Sequence, residues 1–492
     1  MVPAILLAGV ALRVQTFTRP WTGVHNAWGG AFYGNVARNL VRYGFVATAG
    51  GPVVNSGVVD PSQFEIYYHH PVLSVWFTAA SFQLFGIHEW SARLAPLVFS
   101  VLTMGLVLVF ARSVFGDATA LIATLFMAVL PVDAYYATHL DPYSSMAIFF
   151  TALAVDAYRR WLLSSRDRHF ALCVTAIMLG CLTAWYTYLV IPPIFAHFWL
   201  LHRGPKSRAM WIRVWSLPAL AVALFGLFLL HRSIALAGHA EVYDSLSDRL
   251  LKRTTELPSS RVVIFKTYLR AILTLYTLPF VALMAAWVLL FVNDLRTRRL
   301  RGTEWFIVIL LSYGLLYGLA FPGHLLSHDY FTRSYAPGVA LACAVVVMRL
   351  AAALRQPLLR FAVVGGTIAA VCVVATMTTQ RLYAADDDRN PLLLKGFGEV
   401  IAGLSTPRDA VLMPTGEDRV LQYYVDRPMT FALDTPVKMQ AAASGAKGAY
   451  LIAIPERSAT RFAELIAHLE QRYTLRKERG LMVFVPASEP RR

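Results

Sequence analysis

Three segments of the 492-residue sequence concentrate side chains that could hold or transform a polar ligand. They combine carboxylates, imidazoles and guanidinium groups with aromatic rings, so a single site could clamp an anion, move a proton and stack against a ring. The segments are residues 25–93, which include HNAWGGAFY, EIYYHHPVL and HEWSAR, residues 133–145, DAYYATHLDPYSS, and residues 323–333, GHLLSHDYFTR.

Each of these residues also has a structural interpretation. Tyr67 and Trp90 suit an aromatic belt at a membrane surface. Asp141 followed by Pro142 suits the start of a helix, and Arg93 could extend toward lipid headgroups. Because so many of these residue types recur in the same three segments, the sequence favours a site over a set of unrelated structural residues.

Metal binding is not favoured by the sequence. His69 and His70 are adjacent, so their side chains normally diverge, and the four cysteines lack the CxxC or Cys/His spacing of a zinc site. The sequence also lacks a P-loop or GxGxxG pattern, so we expect no nucleotide site. No cofactor is assigned, and a divalent metal stays an open alternative.

The composition indicates a membrane protein. Hydrophobic residues make up 57% of the chain and charged residues 15%, and the mean hydropathy is +0.53. The net charge of +16 is divided among short basic clusters between apolar runs, which does not favour nucleic-acid binding. Since lipid cannot satisfy free backbone groups, the apolar runs predict a helical bundle.

Apolar runs such as 94–111, 213–230 and 361–379 are long enough to cross a hydrocarbon core of about 30 Å, and the apolar runs between charged breaks give eleven predicted spans. The first run lacks the features of a cleaved signal, so we interpret it as a first helix. The predicted spans are 2–17, 94–111, 118–137, 143–161, 169–187, 189–202, 213–231, 263–292, 304–321, 335–353 and 358–378.

Alternate connections between these spans carry most of the Arg and Lys residues, which predicts that those connections face the cytoplasm. The three polar segments then lie together on the outer side of a multi-pass protein of the cytoplasmic (inner) membrane. The long connection 232–262 is basic and does not follow this pattern. Residues 71–86 are short for a span and contain four polar side chains, so we predict an interfacial helix there.

From about residue 380 the sequence changes character. DAVLMPTG, DRVLQYYVD, GAYLIAIP and GLMVFVP predict short strands, and RFAELIAHLEQRY predicts an amphipathic helix. We therefore predict a polytopic α-helical membrane domain at 1–379, with interfacial helices in its outer loop 19–93. A small soluble α/β extracytoplasmic domain follows at 380–492.

The order of the motifs resembles membrane glycosyltransferases of the GT-C superfamily. YYHHPVL and LFGIHEWSARL follow a first outer loop, Asp141 opens a later span, and HDYF precedes a proline-bearing helix. The resemblance is greatest to the protein mannosyltransferase and aminoarabinose transferase branch (families 39 and 83), whose bacterial members use polyprenyl-phosphate sugars. Two features depart from this branch: Val72 replaces a second proline, and the first loop has no carboxylate at His25-Asn26-Ala27-Trp28.

The resemblance implies a hexosyl or pentosyl transfer from a polyprenyl-phosphate donor to a lipid, glycan or protein acceptor, with inversion at the anomeric carbon in one displacement. Asp141 is the leading candidate for the catalytic carboxylate, ahead of Glu89, Glu65 and Asp60. The candidates for the donor phosphate are His70, Arg93, His328 and Arg333. The candidates for the sugar or acceptor pocket are His25, Asn26, Trp28, Tyr33, Tyr67, Tyr68, His69, Asp329 and Tyr330.

Two other functions are compatible with the sequence. A transporter or flippase of lipid-linked glycans would carry polar residues through the middle of its spans and show two related halves, whereas here the charges gather near the ends of the apolar runs. A non-catalytic protein built on the same frame would explain the missing carboxylate of the first loop.

Overall fold

The computed structural model describes residues 1–21, 25–141, 145–202, 204, 206–236, 244, 246–248, 251–252, 254–255, 259–299, 302–326, 328–387, 391–446 and 448–486. The chain divides into two compact units, which we describe separately. Unit 1 comprises Met1–Thr18, Tyr68–Ser81 and Trp90–Ala385, and unit 2 comprises Arg19–Tyr67, Phe82–Glu89 and Asp386–Arg492. Unit 2 thus combines most of residues 19–93, the predicted outer loop, with the C-terminal segment.

The α-helices follow the apolar runs of the sequence. In unit 1, or mostly in it, they are α1 (Val2–Arg13), α3 (Leu73–Phe85), α4 (Glu89–Phe115), α5 (Asp117–Val129), α6 (Pro131–Tyr135), α7 (Ser145–Ser164), α8 (Asp167–Cys181), α9 (Ile191–Ala196), α10 (Arg208–His231), α11 (Arg261–Arg296), α12 (Trp305–Ala320), α13 (Ala336–Ala353) and α14 (Pro357–Asp387). In unit 2 they are α2 (His25–Ala47), α15 (Pro391–Leu404), α16 (Arg419–Val425), α17 (Pro436–Gly445) and α18 (Ala463–Glu470).

Each predicted span coincides with one or more of these helices. The run 118–137 forms two helices, because Pro131 has no backbone N–H to continue the ladder of α5 and instead begins α6. Among the described residues, six helical stretches are long and apolar enough to cross a bilayer: Glu89–Phe115, Arg208–Ile234, Arg261–Arg296, Gly302–Ala320, Asp329–Ala353 and Pro357–Asp386. The number of crossings stays a prediction.

A close helix contact in unit 1 fixes the segment that precedes α13. This segment is a 3-10 helix, Asp329–Tyr335. A Cβ atom at Gly314 in α12 would lie 2.2 Å from the Ser334 Oγ, so only glycine permits the approach. The Tyr313 hydroxyl donates a hydrogen bond of 2.6 Å to the Ser334 carbonyl. Packing and hydrogen bonding therefore hold in place a segment that carries predicted site residues.

Unit 2 contains a mixed five-stranded sheet in the order β2-β1-β3-β5-β4. The strands are β1 (Ala410–Leu412), β2 (Met429–Thr430), β3 (Tyr450–Pro455), β4 (Tyr473–Glu478) and β5 (Leu481–Pro486). Strand β1 pairs in parallel with β2 and β3, and β5 pairs antiparallel with β3 and β4. Alternate residues of β3 enter two different apolar clusters, so both faces of the sheet are covered.

One predicted strand of this region is wrong. Residues 418–426, DRVLQYYVD, form the helix α16 because the Asp418 carboxylate caps it. The Asp418 Oδ1 accepts hydrogen bonds from the backbone N–H groups of Val420 at 2.9 Å and Leu421 at 3.0 Å. Leu421 and Val425 then face the apolar core one helical turn apart. The capping residue therefore outweighs the strand propensity of the apolar and aromatic residues.

Asp426 joins two distant parts of the chain within unit 2. Its carboxylate accepts from Arg42 at 2.6 Å and lies 3.1 Å from the Arg38 guanidinium, and both arginines belong to α2. Burial opposes ionisation of Asp426, but the charges of Arg38 and Arg42 outweigh burial and hold the pKa of this carboxyl below its usual value of 3.8. The ion pairs thus connect α2 to the end of α16.

Asp426→Asn tests this connection. Asparagine keeps the preference for the left-handed backbone found at this residue, with φ of 48°, but removes the charge that pairs with both arginines. We expect a loss of about 1–3 kcal/mol of stability, measured as a lower unfolding temperature of the purified protein at pH 7. Asp434→Asn, which removes the exposed pair with Lys438, is the matched control and should change little.

The wild type and Asp426→Asn can also be compared as the pH is lowered. Because the folded-state pKa is lowered, the contribution of Asp426 is fully present above its unfolded pKa and is lost as the pH falls through the lower folded value. The unfolding temperatures of the wild type and Asp426→Asn should converge below about pH 3.8. Equal unfolding temperatures at pH 7 would contradict the structural role of Asp426.

Candidate functional site

A buried carboxylate in unit 1 is held between two arginines. Asp133, in α6, is 1% exposed. Its Oδ2 lies 2.5 Å from the Arg13 guanidinium, and its Oδ1 accepts from the Arg333 Nε at 2.7 Å. Both arginines are fully buried. The two positive charges and the single negative charge leave a net positive charge in the interior.

The remaining donors of both arginines are also used. Arg333 donates to the Tyr136 carbonyl at 2.7 Å and to the Ser145 hydroxyl at 2.8 Å. Arg13 donates to the carbonyl groups of Gly9, Ala128 and Met127, and to the Ser100 hydroxyl. This set of residues, which we call the Asp133 network, ties together α1, α4, α5, α6, α7 and the Asp329–Tyr335 segment.

A histidine and an aspartate, His139 and Asp141, form a pair a few residues after Asp133 in the sequence. His139 is 2% exposed and Asp141 is 3% exposed. The His139 Nδ1 contacts the Asp141 Oδ2. Within the described residues, the His139 Nε2 and the Asp141 Oδ1 have no hydrogen-bond partner. Pro142, the predicted first residue of the following span, lies outside the described residues.

Aromatic and imidazole rings adjoin this pair. The His139 ring lies 5.3 Å from that of Tyr136 and 5.1 Å from that of Tyr330. The Tyr136 hydroxyl donates to the Asp329 Oδ1 at 2.7 Å. His328 in turn lies 5.1 Å from Tyr330. The structure thus brings the predicted residues Asp141, His328, Asp329 and Tyr330 into one neighbourhood, together with residues that the sequence analysis did not single out.

A second buried cation lies beside the EIYYHHPVL segment. Arg232, immediately after α10, is 1% exposed. One of its terminal nitrogens donates to the His70 carbonyl at 3.1 Å, and its guanidinium lies 5.0 Å from the centre of the Phe228 ring. The Arg232 Nε and its other terminal nitrogen have no hydrogen-bond partner among the described residues. A buried guanidinium with unused donors is suited to an anion.

The segment at His69 and His70 is fixed by its backbone. The Trp185 indole donates to the His69 carbonyl at 2.7 Å, and the Leu73 N–H donates to the Leu182 carbonyl at 3.1 Å. Tyr68 is near enough to Arg232 to interact with it electrostatically. Tyr68, His69 and His70 therefore share a neighbourhood with Arg232, a residue absent from the sequence-based candidates.

The other candidates for the phosphate have different surroundings. Arg93 is buried in α4 and donates to the Phe17 carbonyl at 2.9 Å. Arg333 belongs to the Asp133 network, with three of its donors committed to protein acceptors. We therefore leave Arg333 out of the phosphate site that we propose below.

In unit 2 the predicted aromatic residues surround Phe32. Trp28 stacks on the Phe32 ring at 5.0 Å and 10°, while Tyr33 and Tyr67 meet it edge-on at 5.0 Å. The Arg419 guanidinium lies 5.2 Å from the same ring. Since Trp28 is 46% exposed, one aromatic face of this cluster is open to a ligand.

Three further candidates belong to unit 2. Glu89 pairs with the Lys395 ammonium at 3.2 Å and accepts from the Tyr424 hydroxyl at 3.1 Å, so its contacts are those of a structural carboxylate. The side chains of His25 and Asn26 lie outside the described residues.

The described ranges contain no group of three or more His, Cys, Asp or Glu side chains arranged to hold a metal ion.

The residues that the sequence analysis missed have a weak local signal. Asp133 and His139 lie in the polar segment 133–145, but their partners decide their roles. Arg13 lies inside the predicted span 2–17, and a charged residue within a span is itself a sign of a buried partner. Arg232 directly follows the predicted span 213–231, where an arginine is normally attributed to the membrane surface.

Comparisons with known proteins agree with this fold. Residues 69–231 match the family model for dolichyl-phosphate-mannose-protein mannosyltransferase. No curated protein matches the sequence. The crystal structure of ArnT from Cupriavidus metallidurans bound to undecaprenyl phosphate has a TM-score of 0.69 at 14% identity and covers 99% of this chain and 97% of that chain.

Two other solved structures are similar. ArnT from the same organism in the apo state has a TM-score of 0.64 at 14% identity, covering 98% of this chain and 96% of that one. The second is AglB from Archaeoglobus fulgidus, an archaeal oligosaccharyltransferase in complex with an inhibitory peptide and a dolichol-phosphate. It has a TM-score of 0.55 at 13% identity, and the match covers 99% of this chain and 74% of that chain. The resemblance to the GT-C superfamily is therefore confirmed, and the chain has the fold of these membrane glycosyltransferases.

Asp133→Asn tests the ionic network. The substitution removes the negative charge while leaving two buried arginines in place, so we expect a loss of about 3–5 kcal/mol of stability. The readout is the unfolding temperature and the yield of monodisperse protein in detergent. Asp117→Asn, which removes the exposed pair with Arg112, is the control. If both variants unfolded at the wild-type temperature, the Asp133 network would not stabilise unit 1.

Proposed function

We propose that this chain is an integral-membrane glycosyltransferase that moves a hexose or pentose from a polyprenyl-phosphate donor to a lipid, glycan or protein acceptor. The reaction takes place on the outer face of the cytoplasmic membrane and inverts the anomeric centre. The fold shared with ArnT and AglB supports the reaction class, and the lipid phosphates bound in those two structures support the donor class.

The proposed topology supports the placement of the site. Eleven spans, with α3 lying at the membrane interface, put the segments around His70, His139 and His328 on one side of the bilayer. The basic connections then face the cytoplasm, in agreement with the positive-inside rule. Residues 380–492 form an extracytoplasmic domain, and unit 2 adds residues from the first outer loop to it.

The observation that carries the proposal is the buried guanidinium of Arg232, whose Nε and one terminal nitrogen have no hydrogen-bond partner among the described residues. Burying a cation costs several kcal/mol unless a counter-charge or a set of acceptors replaces water. Here the His70 carbonyl replaces only part of the water, at 3.1 Å. A phosphate monoester or diester would supply both the negative charge and the acceptors for the two unused donor positions.

The chemistry of transfer agrees with a cation at this position. When the acceptor oxygen attacks the anomeric carbon, the bond from that carbon to the phosphate oxygen breaks and negative charge grows on the leaving phosphate. A fixed guanidinium stabilises this charge more in the transition state than in the ground state. His70, Arg93 and His328 remain as further candidates for the same phosphate.

The sugar needs apolar surfaces and hydrogen-bonding groups. Tyr68 and His69 lie beside Arg232 in unit 1, and Asp329 and Tyr330 lie beside His139. In unit 2, Trp28 presents an exposed face above Phe32, with Tyr33 and Tyr67 packed around it. Each of these groups, taken within its own unit, suits the C–H face of a sugar ring, either of the donor or of a glycan acceptor.

Arg232→Gln tests the phosphate site. We expect the variant to bind undecaprenyl phosphate about 10- to 100-fold more weakly than the wild type, because charge-assisted hydrogen bonds contribute about 1.5–3 kcal/mol. Binding can be measured by native mass spectrometry in detergent. Undecaprenol, which lacks the phosphate, should bind both proteins equally. Arg213→Gln, at the other end of α10 and paired with Asp167, is the matched control.

A second measurement separates binding from folding. Because Arg232 is buried and two of its nitrogens have no acceptor among the described residues, its replacement should leave the unfolding temperature unchanged or raise it. The proposal would be contradicted if Arg232→Gln bound undecaprenyl phosphate as tightly as the wild type. It would also be contradicted if the purified wild type released no polyprenyl phosphate from any polyprenyl-phosphate sugar.

A further inference from the structure

A glycosyl transfer to a hydroxyl group requires a group that accepts the proton of the attacking oxygen. The sequence offers few candidates at its N-terminal end, because the first 59 residues contain neither Asp nor Glu. Glu89 is engaged with Lys395 and Tyr424, and Asp133 is engaged with two arginines. Among the carboxylates at the centre of unit 1, Asp141 has the contact that is best suited to proton transfer.

The chemistry of the His139 and Asp141 contact assigns the ring tautomer. An ionised carboxylate can only accept hydrogen bonds, so the His139 Nδ1 that contacts the Asp141 Oδ2 carries the proton. In the neutral imidazole the Nε2 then has a free lone pair, which is the form of the ring that accepts a proton. The carboxylate also stabilises the imidazolium that forms when the Nε2 is protonated.

The burial of this pair argues for a ligand. The His139 Nε2 is buried and has no hydrogen-bond partner among the described residues. A buried polar atom without a partner costs about 1–3 kcal/mol, so a histidine with only a packing role would normally have both nitrogens satisfied. The hydroxyl group of an acceptor would complete the hydrogen bonding of the Nε2.

The charged and titratable groups around the pair come from several elements. Tyr136 belongs to the same connection, while His328, Asp329 and Tyr330 come from the segment before α13. Tyr186 is within electrostatic range of Asp141 and Arg333, and the Arg333 guanidinium donates to the Tyr136 carbonyl. The rings of Tyr136 and Tyr330 adjoin the His139 ring, and Tyr186 interacts with Asp141. Asp329 and Arg333 contact Tyr136, His328 contacts Tyr330, and His324 contacts His328.

We propose that His139 is the catalytic base and that Asp141 is the residue that positions it, an inference that rests on the proposed glycosyl transfer. The acceptor oxygen forms a bond to the anomeric carbon while its proton passes to the His139 Nε2. The bond between the anomeric carbon and the phosphate oxygen breaks, and its electron pair leaves with the polyprenyl phosphate. The imidazolium, paired with Asp141, then releases its proton to water.

Chemical rescue tests the role of His139. The full-length protein in nanodiscs is incubated with undecaprenyl-phosphate hexoses and pentoses, water acts as the acceptor, and the release of undecaprenyl phosphate is measured. We expect His139→Ala to reduce the rate about 10²-fold or more, while the protein still binds undecaprenyl phosphate. Added imidazole should restore part of the rate. His197→Ala, which removes another buried histidine, bonded to Tyr158, should show no response to imidazole.

Asp141→Asn tests the positioning role. The asparagine amide can donate to the His139 Nδ1, which would move the ring proton to the Nε2 and remove the base. We expect a lower kcat with little change in the KM for the donor. The acid limb of the plot of kcat against pH should also change. Asp141→Glu, which keeps the carboxylate, should recover part of the rate and the wild-type profile.

Each outcome bears on a different claim. If the wild type releases undecaprenyl phosphate and His139→Ala is equally active, the base is not His139. If His139→Ala binds the lipid and is inactive but does not respond to imidazole, the role of His139 is structural. If the wild type releases nothing from any donor while it binds undecaprenyl phosphate, the glycosyl transfer itself is contradicted, and this inference with it.

Discussion

Much of unit 1 depends on one electrostatic constraint, the burial of Asp133 between Arg13 and Arg333. A charge inside a low-dielectric interior is tolerated only when partners and hydrogen bonds replace the lost hydration. Here both oxygens of the carboxylate are used, and the arginines reach the Met127, Ala128 and Tyr136 carbonyl groups as well. The network thereby fixes the end of α5, the end of α6 and the Asp329–Tyr335 segment, which contains Tyr330. The geometry of the neighbouring site follows from that arrangement.

The two kinds of buried polar group in unit 1 differ in how completely they are satisfied. The Asp133 network uses nearly every donor, which suits a structural role. Arg232 and the His139–Asp141 pair have buried polar atoms without a hydrogen-bond partner among the described residues, which lowers the stability of the free protein and leaves hydrogen-bonding capacity for a ligand. Natural proteins tend to depart from complete satisfaction of polar groups at functional sites. This contrast is the physical basis for assigning a phosphate to Arg232 and a proton to His139.

The sequence was sufficient to predict the helical membrane fold, because apolar runs of this length can only be helices in a bilayer. It also identified the polar segments that contain Asp141, His70 and Tyr330. It failed at residues 418–426, where the capping carboxylate of Asp418 outweighed the strand-like composition. The ionic partners were out of reach because Asp133 lies 120 residues from Arg13 and 200 residues from Arg333. The tertiary fold alone brings such residues together, and no local pattern records the pairing.

A structure of the protein bound to undecaprenyl phosphate is the most direct test of this account. We expect the phosphate oxygens to lie within hydrogen-bond distance of the Arg232 Nε and of the terminal nitrogen that does not donate to the His70 carbonyl. The same structure should show the His139 Nε2 facing the space next to the phosphate. A phosphate bound away from Arg232, with the Arg232 guanidinium and the His139–Asp141 pair unchanged, would contradict the account.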